Sequence, residues 1–227
     1  MDEFEKDLSI CLKKKSYCGY LDQNEFTQRY LLIKNRVNNS LTREELAFLL
    51  GRTPYFIIDY EELSLAAKLD LVDVDLLCLI LIRDRFESLT LDKKDGQHDI
   101  SHEKRMVRVT MHEYREKLVY QFNHRWNVNG ENKPLKITEP IFQTSTLGDE
   151  PIKLINVEIT KLLSEGYFNT KRSPLEIREV VWRAYKYKSS AWSIIFLKNI
   201  IYEFIRDNKL VMGYDKGHFT YQIKNNL

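Results

Sequence analysis

The chain has 227 residues and a mass of 27.1 kDa, with 43% hydrophobic and 30% charged residues. That is enough apolar chain for one large domain or two small ones, and it excludes wholesale disorder. Lysine and arginine total 35 against 33 acids, a net charge of +2; this excludes a uniformly basic nucleic-acid coat protein and makes the local distribution of charge the informative quantity.

Only 8 glycines and 5 prolines are present, too few for a many-turned sandwich or a clustered phosphate loop, so the composition leans helical. Cys11, Cys18 and Cys78 are odd in number and lack metal-finger spacing. A disulfide scaffold is therefore not expected, and a reducing cytoplasm fits. The first 15 residues place acids before lysines and contain no apolar signal core. The longest apolar run, Leu76 to Ile82, has seven residues, against the roughly 20 that span a bilayer. The expectation is a soluble, cytoplasmic protein with no membrane partner.

In chain order, residues 1–20 read as a charged lead-in. From Asn24 to about Asn38, Phe26, Tyr30, Ile33 and Val37 recur at spacings of 4, 3 and 4, the period of an amphipathic helix. Thr42 with Glu45 three residues on forms a capping box, opening a helix that runs to Leu50 and stops at Gly51. Thr53 and Pro54 have the pattern of an N-cap followed by a first-turn proline, opening a helix through Glu62. Another helix is predicted from Val74 to about Arg85. Residues 91–101 are polar and read as a linker. Met106–Met111 and Leu118–His124 alternate with period two, a predicted β-hairpin with the charged tip HEYREK. Residues 127–151 read as irregular.

From Ile155 helical spacing returns and ends at Gly166. Ser173 and Pro174 start a second helix, through about Tyr185. Ser189 or Ser190 starts a third, through about Ile205. Leu210–Ile223 then places β-formers on either side of a glycine-containing tip.

The segment REELAFLLGRTPYFIIDYEE, Arg43 to Glu62, resembles the helix-turn-helix of the lambda-repressor-like (XRE/Cro) family. Leu46 and Ala47 stand at inward positions, Gly51 at the turn, and Ile57 and Tyr60 on the buried face of the second helix. Residues 155–223, three helices and a hairpin, look like a winged-helix-like module. The expected fold class is mainly α with small β-hairpins: an N-terminal helix-turn-helix bundle over 1–92, a linker with a β-hairpin over 93–151 and a winged-helix-like domain over 152–227.

The resemblance implies a non-enzymatic, bacterial, DNA-binding transcriptional regulator, with double-stranded DNA as partner and a homodimer as the usual assembly. Candidate contacts to phosphates and bases are Arg43, Arg52, Thr53, Tyr55, Lys171, Arg172, Lys186, Lys188 and Lys216. A departure from the family points elsewhere. The second helix offers Tyr55, Phe56, Ile58 and Asp59 rather than cations, which suits a protein groove. The alternative is thus an adaptor or assembly subunit of a larger nucleic-acid or defence complex, binding a protein through Tyr55, Phe56 and Ile58. Charge is split along the chain. Residues 1–100 carry 14 basic and 19 acidic residues, net −5, whereas 101–227 carry 21 and 14, net +7.

Catalytic and metal-binding chemistry has little support in the sequence. His98, Asp99 and His102 lie in a loop-like stretch without partner acids or cysteines at ligand spacing. His112, Glu113 and His124 fall on the predicted hairpin as polar residues. Cys78 sits in an apolar run, as a core residue does. No nucleophile elbow, zinc-helix motif or phosphate-binding glycine loop occurs. No catalytic residue, metal or cofactor is assigned.

Overall fold

The computed structural model describes residues 11–64, 66–81, 102–124, 135–141, 149–185 and 194–224. Its packing divides the chain into two compact units. The first comprises residues 1–40, 59–68 and 85–143, the second residues 41–58, 69–84 and 144–227. Both units therefore draw on separate stretches of sequence, which cuts the chain differently from the divisions at residues 92–93 and 151–152.

The fold class is mixed α and β, not mainly α. In the first unit, β1 (Lys13–Leu21), β2 (Arg105–Glu113), β3 (Lys117–Asn123) and β4 (Leu135–Pro140) form one antiparallel sheet in that order. The predicted hairpin is present as β2–β3. The stretch read as a lead-in supplies β1, and the stretch read as irregular supplies β4. Register explains how the four strands share a core. Tyr17, Val109, Phe122 and Leu135 stand side by side across the sheet, with Met111, Tyr120 and Ile137 as the neighbouring row. These side chains face helix α1 (Gln23–Asn38), whose Phe26 and Ile33 are buried among them. The 3.6-residue stripe of α1 and the period-two face of the sheet thus close one core.

Helix α1 starts at Asp22, which accepts from the Glu25 backbone N–H while Glu25 accepts from that of Asp22. Arg36, near its end, has no exposed side-chain surface. Its Nε donates to Glu61 at 2.7 Å and its Nη1 to Glu139 at 2.6 Å. The Tyr120 hydroxyl donates to the other Glu139 oxygen at 2.6 Å. Burial, the largest influence, disfavours the Arg36 charge; Glu61 and Glu139 outweigh it and hold the guanidinium charged.

The second unit contains α2 (Arg43–Leu49), the start of α3 (Phe56–Glu61), α4 (Leu71–Leu81), α5 (Glu150–Ser164), α6 (Pro174–Tyr185), α7 (Ile194–Arg206) and the hairpin β5 (Leu210–Asp215)–β6 (His218–Ile223). The Thr42–Glu45 capping box forms as expected. Glu45 does more than cap, because its second oxygen accepts from the Ile195 backbone N–H at the start of α7. Leu46 and Ala47 are fully buried, and Phe48 packs edge-on to Tyr202. Gly51 has φ +65°, and a Cβ there would lie 3.0 Å from the Phe219 carbonyl oxygen. The turn after α2 thus needs glycine twice, for its backbone conformation and for the close approach of β6.

Candidate nucleic-acid interface

The residues predicted to touch DNA are placed unevenly. Arg43 opens α2 and is half-buried; Thr53 and Tyr55 are exposed ahead of α3, with Tyr55 69% exposed. Phe56 and Ile58 are half-buried. Lys171 is exposed before α6, and Lys216 is exposed in the β5–β6 turn. Arg172 is held by its Nε–H to the Tyr167 carbonyl at 2.9 Å, and its guanidinium lies 4.3 Å from the centre of the Tyr167 ring. Lys186 and Lys188, with His98 and Asp99, lie outside the described residues.

Arg52 is engaged within the molecule. Its guanidinium donates to both Asp73 oxygens at 2.8 and 2.7 Å, to Asp70 at 2.5 Å and to the Gly217 carbonyl at 2.8 Å. It also lies over the Phe56 ring. Asp70 and Asp73 cap α4 reciprocally, and His218 Nε2 meets Asp73 at 3.1 Å. Asp70, Asp73 and His218 have the spacing of a metal triad. The Arg52 guanidinium already supplies a positive charge there and saturates the carboxylates that a metal would need. The cluster is therefore a clasp joining the loop after α2, the start of α4 and the β5–β6 turn.

The clasp has a pH signature. Burial, the largest influence on Asp70, pushes its carboxyl up; the Asp73 backbone N–H and the Arg52 guanidinium outweigh it and hold the pKa below its ordinary value. Such a group stabilises the fold above its unfolded pKa of about 3.9, and that contribution is lost as pH falls through the lower folded value. Its side chain is 50% exposed, so solvent screening keeps the contribution small. Asp70→Asn keeps a capping side chain and is expected to shrink the acid-side loss of stability, read as a smaller shift of the urea midpoint between about pH 5 and pH 3 than in the parent chain.

A one-signed surface lies on the sheet. Alternation sends Lys14, Ser16, Cys18 and Tyr20 of β1 to the face opposite α1. With them go Met106, Arg108, Thr110 and His112 of β2, Lys117, Val119, Gln121 and Asn123 of β3, and Lys136 and Thr138 of β4. The four strands contain two acids, Glu113 and Glu139, and register puts both on the α1 side. The outer face thus carries a cation from every strand and no carboxylate. Lys14, Arg108 and Lys136 are exposed and have no ion-pair partner among the described residues. Lys117 lies over the Tyr114 ring.

Sequence reasoning missed this face because two of its strands were not recognised. The signal available was Lys14, Ser16, Cys18 and Tyr20 alternating with Tyr17, Gly19 and Leu21. Compared with family models, curated proteins and solved structures, the chain has no significant match. Among the described residues no helix is long and apolar enough to cross a membrane.

Proposed function

We propose that the protein binds nucleic acid, and that it does so through the outer face of its four-stranded sheet. One observation carries the reading: Lys14, Arg108, Lys117 and Lys136, one on each strand, share a face on which no strand places an acid. No two of these cations stand opposite one another, so positive charge is spread along the face, and a polyanion lying on it is attracted while releasing its own counterions. Exposed Ser16, Asn123 and Thr138 and half-buried Gln121 add hydrogen-bonding groups suited to phosphate, sugar and base. The ligand class is that of the expected regulator; the surface is a different one, because Arg52 is committed to its clasp.

A salt titration of binding by the full chain tests it. Neutralising three phosphates gives a slope of log K on log salt of about −2 to −3, depending on whether the ligand is single- or double-stranded. Replacing Lys14, Arg108 and Lys136 together by glutamine is expected to flatten that slope towards zero and weaken binding at least about tenfold. The circular dichroism spectrum should not change, because all three side chains are exposed. A variant that binds with the parent affinity and slope would overturn the proposal.

Tyr55 supports a second reading. It is 69% exposed beside half-buried Phe56 and Ile58, an aromatic anchor of the kind protein interfaces use. This is the adaptor alternative, and it is compatible with a nucleic-acid-binding sheet in the same chain.

A further inference from the structure

Tyr20 is 64% exposed at the end of β1, directly opposite Met106, which is 44% exposed. Both lie on the cationic outer face. Two open hollows adjoin Met106. One is lined by Tyr20, Glu103, Lys104, Arg105 and Met106, with the Glu103 carboxylate, just ahead of β2, paired to Arg105; the other is lined by Met106, Arg108, Asn123 and His124. One end of the face therefore combines an exposed aromatic ring, a cation and an amide, while Lys14, Lys117 and Lys136 lie further along it.

The width of the sheet restricts what it can read. Four strands span three gaps of about 4.8 Å, roughly 14 Å before side chains are added. The major groove of B-DNA is about 12 Å wide and admits a helix or a two-stranded ribbon. This face can touch a duplex only along its phosphates, and it would leave Tyr20 and Asn123 unused. An unpaired strand can lie across the sheet with a base flat on an aromatic ring. From Lys14 to Tyr20 is about 20 Å of strand, enough for a few nucleotides.

We infer that the sheet takes a single-stranded nucleic acid, with a base stacked on Tyr20, base edges within reach of Asn123, and phosphates on Arg108, Lys136 and Lys14. This inference rests on the nucleic-acid reading above and names its substrate class. The exposed tyrosine is then a stacking platform, the amide is a group that pairs with base edges, and the cations follow the backbone.

Fluorescence anisotropy on the full chain separates the two levels. The probes are labelled single-stranded DNA and RNA of about 12 nucleotides and a duplex of the same length, at low salt. The expected result is at least about tenfold tighter binding of one or both single strands than of the duplex. Tyr20→Ala is expected to weaken the single strand about five- to a hundredfold, the range of one base stack, and to leave the duplex unchanged. Tyr20→Phe keeps the ring and is expected to keep the affinity. Equal or tighter binding of duplex, with Tyr20→Ala moving neither ligand, overturns the single-strand inference and leaves the nucleic-acid reading standing. No binding of any probe at low salt overturns both.

Discussion

Replacing Arg36 by methionine is expected to cost about 3–5 kcal/mol of stability, the usual result of removing one partner from a buried ion pair. Glu61 and Glu139 keep 1% and 15% of their side-chain surface exposed. Without the guanidinium, two carboxylates lie close together in the first unit with little water to solvate them. The Tyr120 hydroxyl donates to Glu139. Methionine has the right size and flexibility to fill the space, so the loss reports charge rather than a cavity. Urea denaturation of the single variant measures it. Adding Glu61→Gln and Glu139→Gln to the same chain is expected to recover most of the loss, since a neutral cluster has no desolvated charge to compensate. If the triple variant is as unstable as the single one, packing rather than charge holds the site. Arg36→Lys should fall between, because one ammonium cannot reproduce a fork that reaches both carboxylates.

The parts of this architecture that were legible in the sequence are the ones set by local rules. The Thr42–Glu45 capping box, the stop at Gly51 and the buried positions of Leu46, Ala47, Ile57 and Tyr60 all follow from spacing within one or two turns. The β2–β3 hairpin follows from period-two alternation, and α5, α6, α7 and the β5–β6 hairpin appear in the predicted order. The two missed strands lack a strong local signal. The inner face of β1 is Tyr17, Gly19 and Leu21 behind three lysines, and its glycine is there because a Cβ would lie 3.2 Å from Leu63 Cβ. In β4 the inner face is Leu135, Ile137 and Glu139, and the partner that makes Glu139 tolerable inside is 103 residues away in α1. Both strands owe their place to contacts distant in sequence. The cationic face inherits that difficulty, since a surface built from four strands is visible only when all four are recognised and in register. The same gap made the composition look more helical than the fold is.

Arg52→Ala is the second large effect, expected at about 2–4 kcal/mol, and it distinguishes two roles for a residue that sequence reasoning assigned to DNA. The side chain spans Asp70, Asp73 and the Gly217 carbonyl. It thereby ties α4 and the turn after α2 to a hairpin more than 140 residues downstream. Asp73 has no exposed side-chain surface, so truncating its main cationic partner leaves a buried carboxylate served by His218 and the Asp70 backbone N–H. That is the costly case of a broken buried pair, moderated because Asp70 is half exposed and can be rehydrated. Arg52→Lys is expected to recover only part of the loss, because three donors on one nitrogen cannot make the two-oxygen contact to Asp73 and also reach Asp70 and Gly217. A phosphate-contacting Arg52 would behave in the opposite way, weakening nucleic-acid binding and reducing its salt slope by about 1 with stability unchanged. Measured together, the urea midpoint of Arg52→Ala should fall, while its affinity for a single strand, taken at a temperature where the variant is folded, should match the parent chain. A variant with parent stability and weakened binding would return Arg52 to the interface and remove the clasp from the account of the second unit.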